Sequence, residues 1–333
     1  MAYITLNKNN FFNNLDIIAN ITKDKDKIAL VLKDNAYGHG IIEISSMAKE
    51  YGITKAVVRT NDEAKKIDEY FEYILVLADI PTQANDKVRY TINDIKKIQD
   101  FPKGTKVELK VDTLMHRNGV SISEVADAIG LIDKQGLILE AVFTHHRSAD
   151  ALTSEWFTQN ENFTKVKKIV KDLGLNNIRF HSDNSASIMR RDVLEEDMVR
   201  VGIAAYGCLD SDAIDTSALK PVLFLIASRN SSRNILKGQK VGYGGTYTAL
   251  QDEVLSNYDF GYADGFLRSL SNNYKTPSNV ELVGRISMDN SSFLSDEDEL
   301  LIFDDARLIA KSAGSIPYEI LTSLKENILR VLS

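Results

Sequence analysis

At 333 residues the chain is long for one ordinary domain, and two domains are the natural expectation. Its 44% hydrophobic and 26% charged residues fit a soluble globular protein, and a net charge of -7 argues against a nucleic-acid partner, whose binding rests on basic patches. A single cysteine, Cys208, excludes an internal disulfide and no C-x-x-C pair offers a metal site. No run is apolar enough for a signal peptide or a bilayer span, so the chain reads as cytoplasmic, with no membrane partner.

The first apolar run, Ile28-Ala29-Leu30-Val31-Leu32, predicts a buried strand that delivers Lys33 at its C-terminal end. Gly38 and Gly40 break the pattern, and Ile41 onward predicts a helix. A lysine at a strand mouth is commonly a snorkelling surface residue; the same placement holds an amine for Schiff-base chemistry with a carbonyl cofactor. Further strands are expected at Ala56–Arg59, Tyr73–Ala78, Lys87–Tyr90, Lys106–Val111, Leu137–Thr144, Asn177–His181 and Asp197–Ile203. Helical patterns lie between them, at Asn61–Phe71, Ile122–Lys134, Leu152–Leu173 and Ser185–Arg191. About eight such units favour a (β/α)8 barrel over a doubly wound sheet, and we assign it residues 8–217.

Beyond residue 215 the texture changes. Val222–Ser228, Lys240–Ala249, Glu253–Asp259 and Glu281–Ser287 predict strands, and no long helix is expected before Arg307. This is a second, mostly β domain, residues 218–333, against which the N-terminal strand 1–7 is expected to pack. Tyr318–Leu332 reads as a closing helix with Leu321, Leu324, Ile328 and Leu332 on one side, and Asp296-Glu297-Asp298-Glu299 as a solvated turn.

Barrel enzymes build their sites at the C-terminal ends of the strands, with phosphate near the last loops. There His181-Ser182-Asp183-Asn184-Ser185-Ala186-Ser187 opens a helix, which is either a simple N-cap or a phosphate cradle. Val199-Arg200-Val201-Gly202-Ile203 puts a fixed cation, Arg200, beside a glycine that permits close backbone approach. His145, at the end of the sixth strand, is by type either a hydrogen-bonded structural residue or a catalyst.

The string Lys33-Asp34-Asn35-Ala36-Tyr37-Gly38-His39-Gly40 resembles the cofactor-lysine signature of the alanine racemases, a pyridoxal phosphate (PLP) family. Other family-like segments follow in order: Lys110-Val111-Asp112-Thr113-Leu114-Met115-His116-Arg117-Asn118-Gly119, with Leu114 for a glycine; Arg200-Val201-Gly202-Ile203, with Val201 for a proline; and those around Tyr243, Tyr262, Met288 and Tyr318. The resemblance implies a PLP-binding barrel, a homodimer with shared sites, and L/D interconversion of alanine supplying D-alanine for peptidoglycan. It implies Lys33 and Tyr243 as the two catalytic bases and Arg200 as the partner of the pyridine nitrogen. Tyr37, Asn184, Ser185, Gly202, Ile203 and Tyr318 would hold PLP. His145 would bond Arg200 and the tyrosine base, and Arg117 and the Met288 amide would take the substrate carboxylate. Lys110 would be carbamylated, holding Arg117, while Tyr262, Arg268 and Arg285 would line the entrance. His146 and Arg147 stand where the family commonly has phenylalanine and a small residue, and the segment 289–317 is short. A tyrosine base needs help near neutral pH, since a free phenol titrates near about 10. Rival readings are a racemase of another small amino acid such as serine, and a non-catalytic PLP carrier, which would resemble the barrel half alone.

Overall fold

The computed structural model describes all 333 residues. Strand β1 (Tyr3–Leu6) is followed by a helix, Lys8–Thr22, that buries Phe11, Leu15 and Ile18. Eight parallel strands come next: β2 (Ile28–Val31), β3 (Lys55–Val58), β4 (Tyr73–Val76), β5 (Val88–Ile92), β6 (Lys106–Lys110), β7 (Ile138–Phe143), β8 (Arg179–His181) and β9 (Val199–Val201). They form one sheet in the order β8-β7-β6-β5-β4-β3-β2-β9. β8 and β9 share no ladder. Single bonds join them instead, from Asp197 N–H to Phe180 O (3.1 Å) and from Arg200 N–H to Asp183 O (3.0 Å). The barrel is therefore closed at a seam rather than by a continuous ladder.

The remaining strands are β10 (Leu223–Ile235), β11 (Lys240–Val241), β12 (Tyr247–Thr248), β13 (Glu253–Tyr258), β14 (Ser291–Phe293), β15 (Glu299–Phe303) and β16 (Leu329–Leu332). The long β10 bends at Arg229–Ser231, so that its first half pairs with β1 and β15 and its second half with β13. β1 lies between β10 and β16 and so belongs to this second sheet. A single apolar core runs through both regions. At their junction the buried Asn14 amide donates to Ala205 O and Lys220 O and accepts from Lys220 N–H. No helix is long and apolar enough to cross a membrane.

Three expected elements are corrected. Of the expected strand Lys240–Ala249 only Lys240–Val241 and Tyr247–Thr248 are extended, because Gly242 and Gly244 take positive φ around a helical turn at Tyr243–Gly245. The closing helix stops at Ser323, and Leu329–Leu332 is a strand running parallel to β1. Leu321, Leu324 and Ile328 are buried as the spacing requires, but the open edge of β1 recruits the backbone beyond them, and Leu332 is left exposed. Glu281–Ser287 forms isolated bridges only, because Gly284 takes a positive φ of 75° and its N–H is drawn off to the Asn272 side chain.

The new strand carries Arg330, whose Nε and Nη2 both donate to Gly38 O at 3.2 and 2.9 Å, tying the chain end to the loop after Lys33. Charge-assisted hydrogen bonds contribute about 1.5–3 kcal/mol, so Arg330→Ala should cost about 2 kcal/mol of stability. Chemical denaturation measures it; an unchanged midpoint and slope would show that the tie contributes nothing.

Candidate active site

β2 ends at Val31, and the chain then enters one turn of left-handed helix. Asp34, Asn35, Ala36 and Tyr37 all have φ between 50° and 55°. Such a backbone costs L-residues roughly 1–2 kcal/mol each, so it persists only where surroundings over-determine it. They do so here. Glu63 accepts the Asp34 N–H at 2.6 Å, the Asn35 side chain accepts the Ile41 N–H at 2.8 Å, and His39 Nδ1 bonds the Ala36 and Tyr37 carbonyls. Gly38 is required: a Cβ there would lie 2.0 Å from Leu321 O. The turn leaves Lys33 Nζ on a cavity of about 380 Å³, paired with Asp34 at 3.1 Å.

Lys33, Tyr37, Lys110, Arg117, His145, Asn184, Ser185, Arg200, Gly202, Ile203 and Tyr318 all border this cavity, although they come from the ends of five barrel strands and a helix of the second domain. On one side Ser185 Oγ accepts the N–H groups of Gly202 and Ala204, at 3.0 and 3.3 Å, joining the loops that follow β8 and β9. Gly202 packs so closely on Tyr37 that a Cβ would meet its ring at 2.9 Å. Tyr318 lies 5.8 Å from Tyr37, centroid to centroid. The result is a small cradle of amides, hydroxyls and phenols.

Opposite it, Arg200 is buried with its guanidinium among acceptors: Thr144 O at 2.7 Å, Ser182 O at 3.3 Å, and His181 Nδ1. This corrects the expected partner, since His145 makes no side-chain hydrogen bond to Arg200. Position along the barrel is the reason: His181 ends β8 beside Arg200 of β9 at the seam, whereas His145 lies beyond the end of β7. His181 Nε2 lies 2.9 Å from Glu108, whose carboxylate also accepts from Tyr73 Oη and from Arg179 Nη2 at 2.9 Å. Arginine can only donate and a carboxylate can only accept, so His181 is neutral, with its proton on Nε2. Burial pushes its pKa down to about 4 against the opposing pull of Glu108, and Arg200 adds to the depression. Burial works to raise Glu108, but His181, Arg179 and Tyr73 together outweigh it and hold the carboxyl near 2. Arg200 Nε–H, at the cavity wall, has no acceptor within the chain.

Lys110, at the end of β6, is depressed to about 8 by burial first, then by Arg117 and Arg200. An amine in that range is partly neutral near physiological pH and nucleophilic. Arg117 extends into the cavity without a protein partner.

The second-domain residues lie elsewhere. Tyr243, Met288 and Tyr262 are 68%, 55% and 43% exposed, and none of them borders the Lys33 cavity; neither do Arg268 and Arg285. They are linked to one another instead. The Arg285 guanidinium lies against Gly244, and Tyr262 N–H donates to Ser287 O. Met288 O accepts from Ala263 N–H, while the Met288 N–H is unspent within the chain.

Sequence reasoning gave no role to Glu108, Tyr73 or Arg179. The signal was present in Lys106-Val107-Glu108-Leu109-Lys110, where every second residue, on the inward side, is charged although barrel interiors are normally apolar.

Residues 6–210 match the family model described as "Alanine racemase, N-terminal domain", and residues 225–332 match "Alanine racemase, C-terminal domain". The chain is 42% identical to an alanine racemase of Nitratiruptor, covering 99% of both chains, and 39% identical to one of Campylobacter jejuni, covering 100% of both. Among solved structures, an alanine racemase of Clostridium difficile superposes with a TM-score of 0.91 at 27% identity, covering 100% of this chain and 95% of that one.

Three buried imidazoles, His39, His146 and His181, make the chain acid-sensitive. Burial lowers each from 6.5 to about 4. Between those values the unfolded chain binds more protons than the folded one, so stability falls as pH drops from 6.5 toward 4. Each histidine contributes up to about 1.4 kcal/mol per pH unit in that window. The urea midpoint should therefore fall clearly between pH 7 and pH 5; a flat profile would contradict neutral burial.

Proposed function

The chain belongs to the alanine racemase family, whose PLP-dependent members interconvert L- and D-alanine, and we propose that it does so with two bases, Lys33 and Tyr243, supplied by different subunits of a homodimer. The observation that carries this reading is the split just described. Lys33 borders the cavity, whereas Tyr243 and the unspent Met288 N–H sit on an exposed surface of the second domain. Racemisation needs a proton taken from one face of Cα and returned on the other, so a cavity with one base is half a site. A two-fold, isologous contact brings Tyr243 of each subunit to the Lys33 cavity of the other and completes two equivalent sites. The match to the second-domain model argues against a PLP carrier built from a barrel alone.

The residues present fit the cofactor. The cradle fits a phosphate: the Ser185 hydroxyl, which accepts the Gly202 and Ala204 N–H groups and keeps its own proton to donate, stands with the Ile203 amide and the Tyr37 and Tyr318 phenols where Gly202 allows close approach, and Asn184 braces it by accepting the Ser187 N–H at 2.9 Å. Arg200 offers its spare Nε–H to the pyridine nitrogen. Bound PLP supplies a carbonyl for the substrate amine and a conjugated ring that spreads the charge left when Cα loses its proton. Arg200 gives that ring a hydrogen bond but not a proton, because an arginine with a neutral histidine partner keeps its own. That limits charge withdrawal and disfavours side reactions such as transamination. Lys33 Nζ holds the cofactor and, when free, exchanges a proton with Cα on the D face; Tyr243 Oη does so on the L face. Arg117 and the partner-supplied Met288 amide hold the substrate carboxylate, while Tyr262, Arg268 and Arg285 border the approach. His145, which borders the same cavity as Arg200, is left to meet the tyrosine base. D-alanine made this way serves peptidoglycan assembly, which fits work in the cytoplasm.

Lys110 completes the reading. As a free amine it would sit among like charges. Its reaction with carbon dioxide forms an N–C bond, releases a proton and leaves an anion able to hold Arg117.

Two outcomes check the proposal. Lys33→Ala and Tyr243→Ala proteins should each be nearly inactive, and dissociating and reassembling them together should restore roughly a quarter of wild-type activity, since half the dimers carry one intact site of two. No recovery despite demonstrated subunit exchange and bound PLP would place both bases in one chain. Equilibration with isotopically labelled bicarbonate should give a carbamate carbon signal that Lys110→Ala abolishes; its absence in the active wild-type protein would refute carbamylation.

A further inference from the structure

Two residues that the family resemblance sets against a glycine and a small residue, Leu114 and Arg147, touch each other beside the cavity that Arg147 borders. Arg147 Nη1 donates to Leu114 O at 2.9 Å. The guanidinium is aimed by Glu155, which accepts from Nε at 2.9 Å and from Nη2 as well, a two-point grip that leaves it little freedom. Leu114 needs such a tether. Its φ is 156°, a backbone setting that glycine adopts freely and a leucine resists.

Leu114 lies in the loop that leaves β6 and carries Arg117 three residues later. The helix Glu155–Asp172 braces this loop along one face, at positions four and three residues apart. Beside Glu155, Gln159 donates to Thr113 Oγ1 and His145 O, both at 3.2 Å, and accepts the Arg147 N–H at 2.9 Å. Asn162 donates to Thr113 O at 3.0 Å. From within the loop, the Asp112 carboxylate accepts the Leu114 and His116 N–H groups at 2.9 and 3.1 Å. Arg147 thus supplies the one hydrogen bond from outside the loop to Leu114, which with His116 (φ 55°) is one of the loop's two non-glycine residues at positive φ.

We propose that Arg147, aimed by Glu155, is a positioning residue for substrate recognition: by holding the Leu114 carbonyl it fixes the loop from which Arg117 meets the carboxylate of the amino acid. This rests on the reading of Arg117 given above. Released from Arg147, Leu114 relaxes toward ordinary φ values and Arg117 loses its aim. A glycine at 114 has no such tendency, so the leucine and the arginine work as a pair.

The test uses the PLP-loaded enzyme and propionate, which is alanine without its amino group, as the carboxylate probe. Arg147→Ala should raise the KM for both alanine enantiomers and weaken propionate inhibition, each about tenfold, in line with the steep cost of small misplacements in a site. The unfolding midpoint and cofactor absorbance should stay in place. Glu155→Gln should act in the same direction and more weakly. The decisive variant is Leu114→Gly/Arg147→Ala, which should recover most of the lost propionate affinity, a rescue that general loosening would not give. Arg117→Lys separates the two levels. If it loses propionate affinity while Arg147→Ala keeps it, the positioning role is overturned alone; if Arg117→Lys also keeps it, the reading of Arg117 falls and this inference with it. Failure of the double variant to recover likewise overturns the pairing.

Discussion

The site depends first on the left-handed turn at Asp34–Tyr37. This backbone path from β2 puts Lys33 on the cavity and at the same time sends the Tyr37 ring under Gly202, where it meets Tyr206 and Tyr318. Four non-glycine residues in that conformation are costly, and the surrounding fold can be read as the means of offsetting the cost. Glu63 comes from the helix after β3, His39 from the turn's own exit, and Arg330 from the last strand. Leu321 O, from the helix before that strand, sits where any side chain at residue 38 would be. The second domain therefore folds back on the barrel at the turn that sets Lys33 on the cavity.

A second constraint runs through the barrel interior. Charges there are tolerable only when paired and fully hydrogen-bonded. Arg89, Glu140, Arg179 and Glu108 alternate in sign, and the series ends on neutral His181 rather than on another carboxylate. The ending matters. A carboxylate touching Arg200 would neutralise the guanidinium just where it faces the cavity. An imidazole acceptor fixes its direction and leaves its charge intact, and Glu108 sets which imidazole nitrogen does so.

Much of this was legible in the sequence. The strand ends that carry Lys33, Arg117 and Arg200 were marked by glycine-punctuated strings, and the one that carries Asn184 by a run of small polar residues, at the mouths of regularly spaced apolar runs, and these residues do converge on one cavity. The turn itself was hidden, because Asp-Asn-Ala-Tyr carries no glycine to signal positive φ. The last helix was overextended, because its apolar spacing is equally served by a short helix and a strand, and only the distant edge of β1 decides between them. Assigning the arginine's partner to His145 rather than His181 followed motif position. Strand ends were the better guide, since His181 closes β8 next to Arg200 of β9 while His145 lies beyond the end of β7.

Two arginines show the same physical device at two corners of the cavity. After Lys33 and before Arg117, the chain adopts backbone angles that its residues resist, and at each place an arginine donates to a loop carbonyl, Arg330 to Gly38 O and Arg147 to Leu114 O. A backbone turned to positive φ presents its carbonyl away from the local ladder, so the group must find a donor or face a desolvation cost. A guanidinium is well suited to such a carbonyl, because it is always charged, donates along several directions, and has a stem that can cross from a neighbouring element. The pair thus holds Lys33 and the loop that bears Arg117, Arg330 from outside the cavity and Arg147 from its lining.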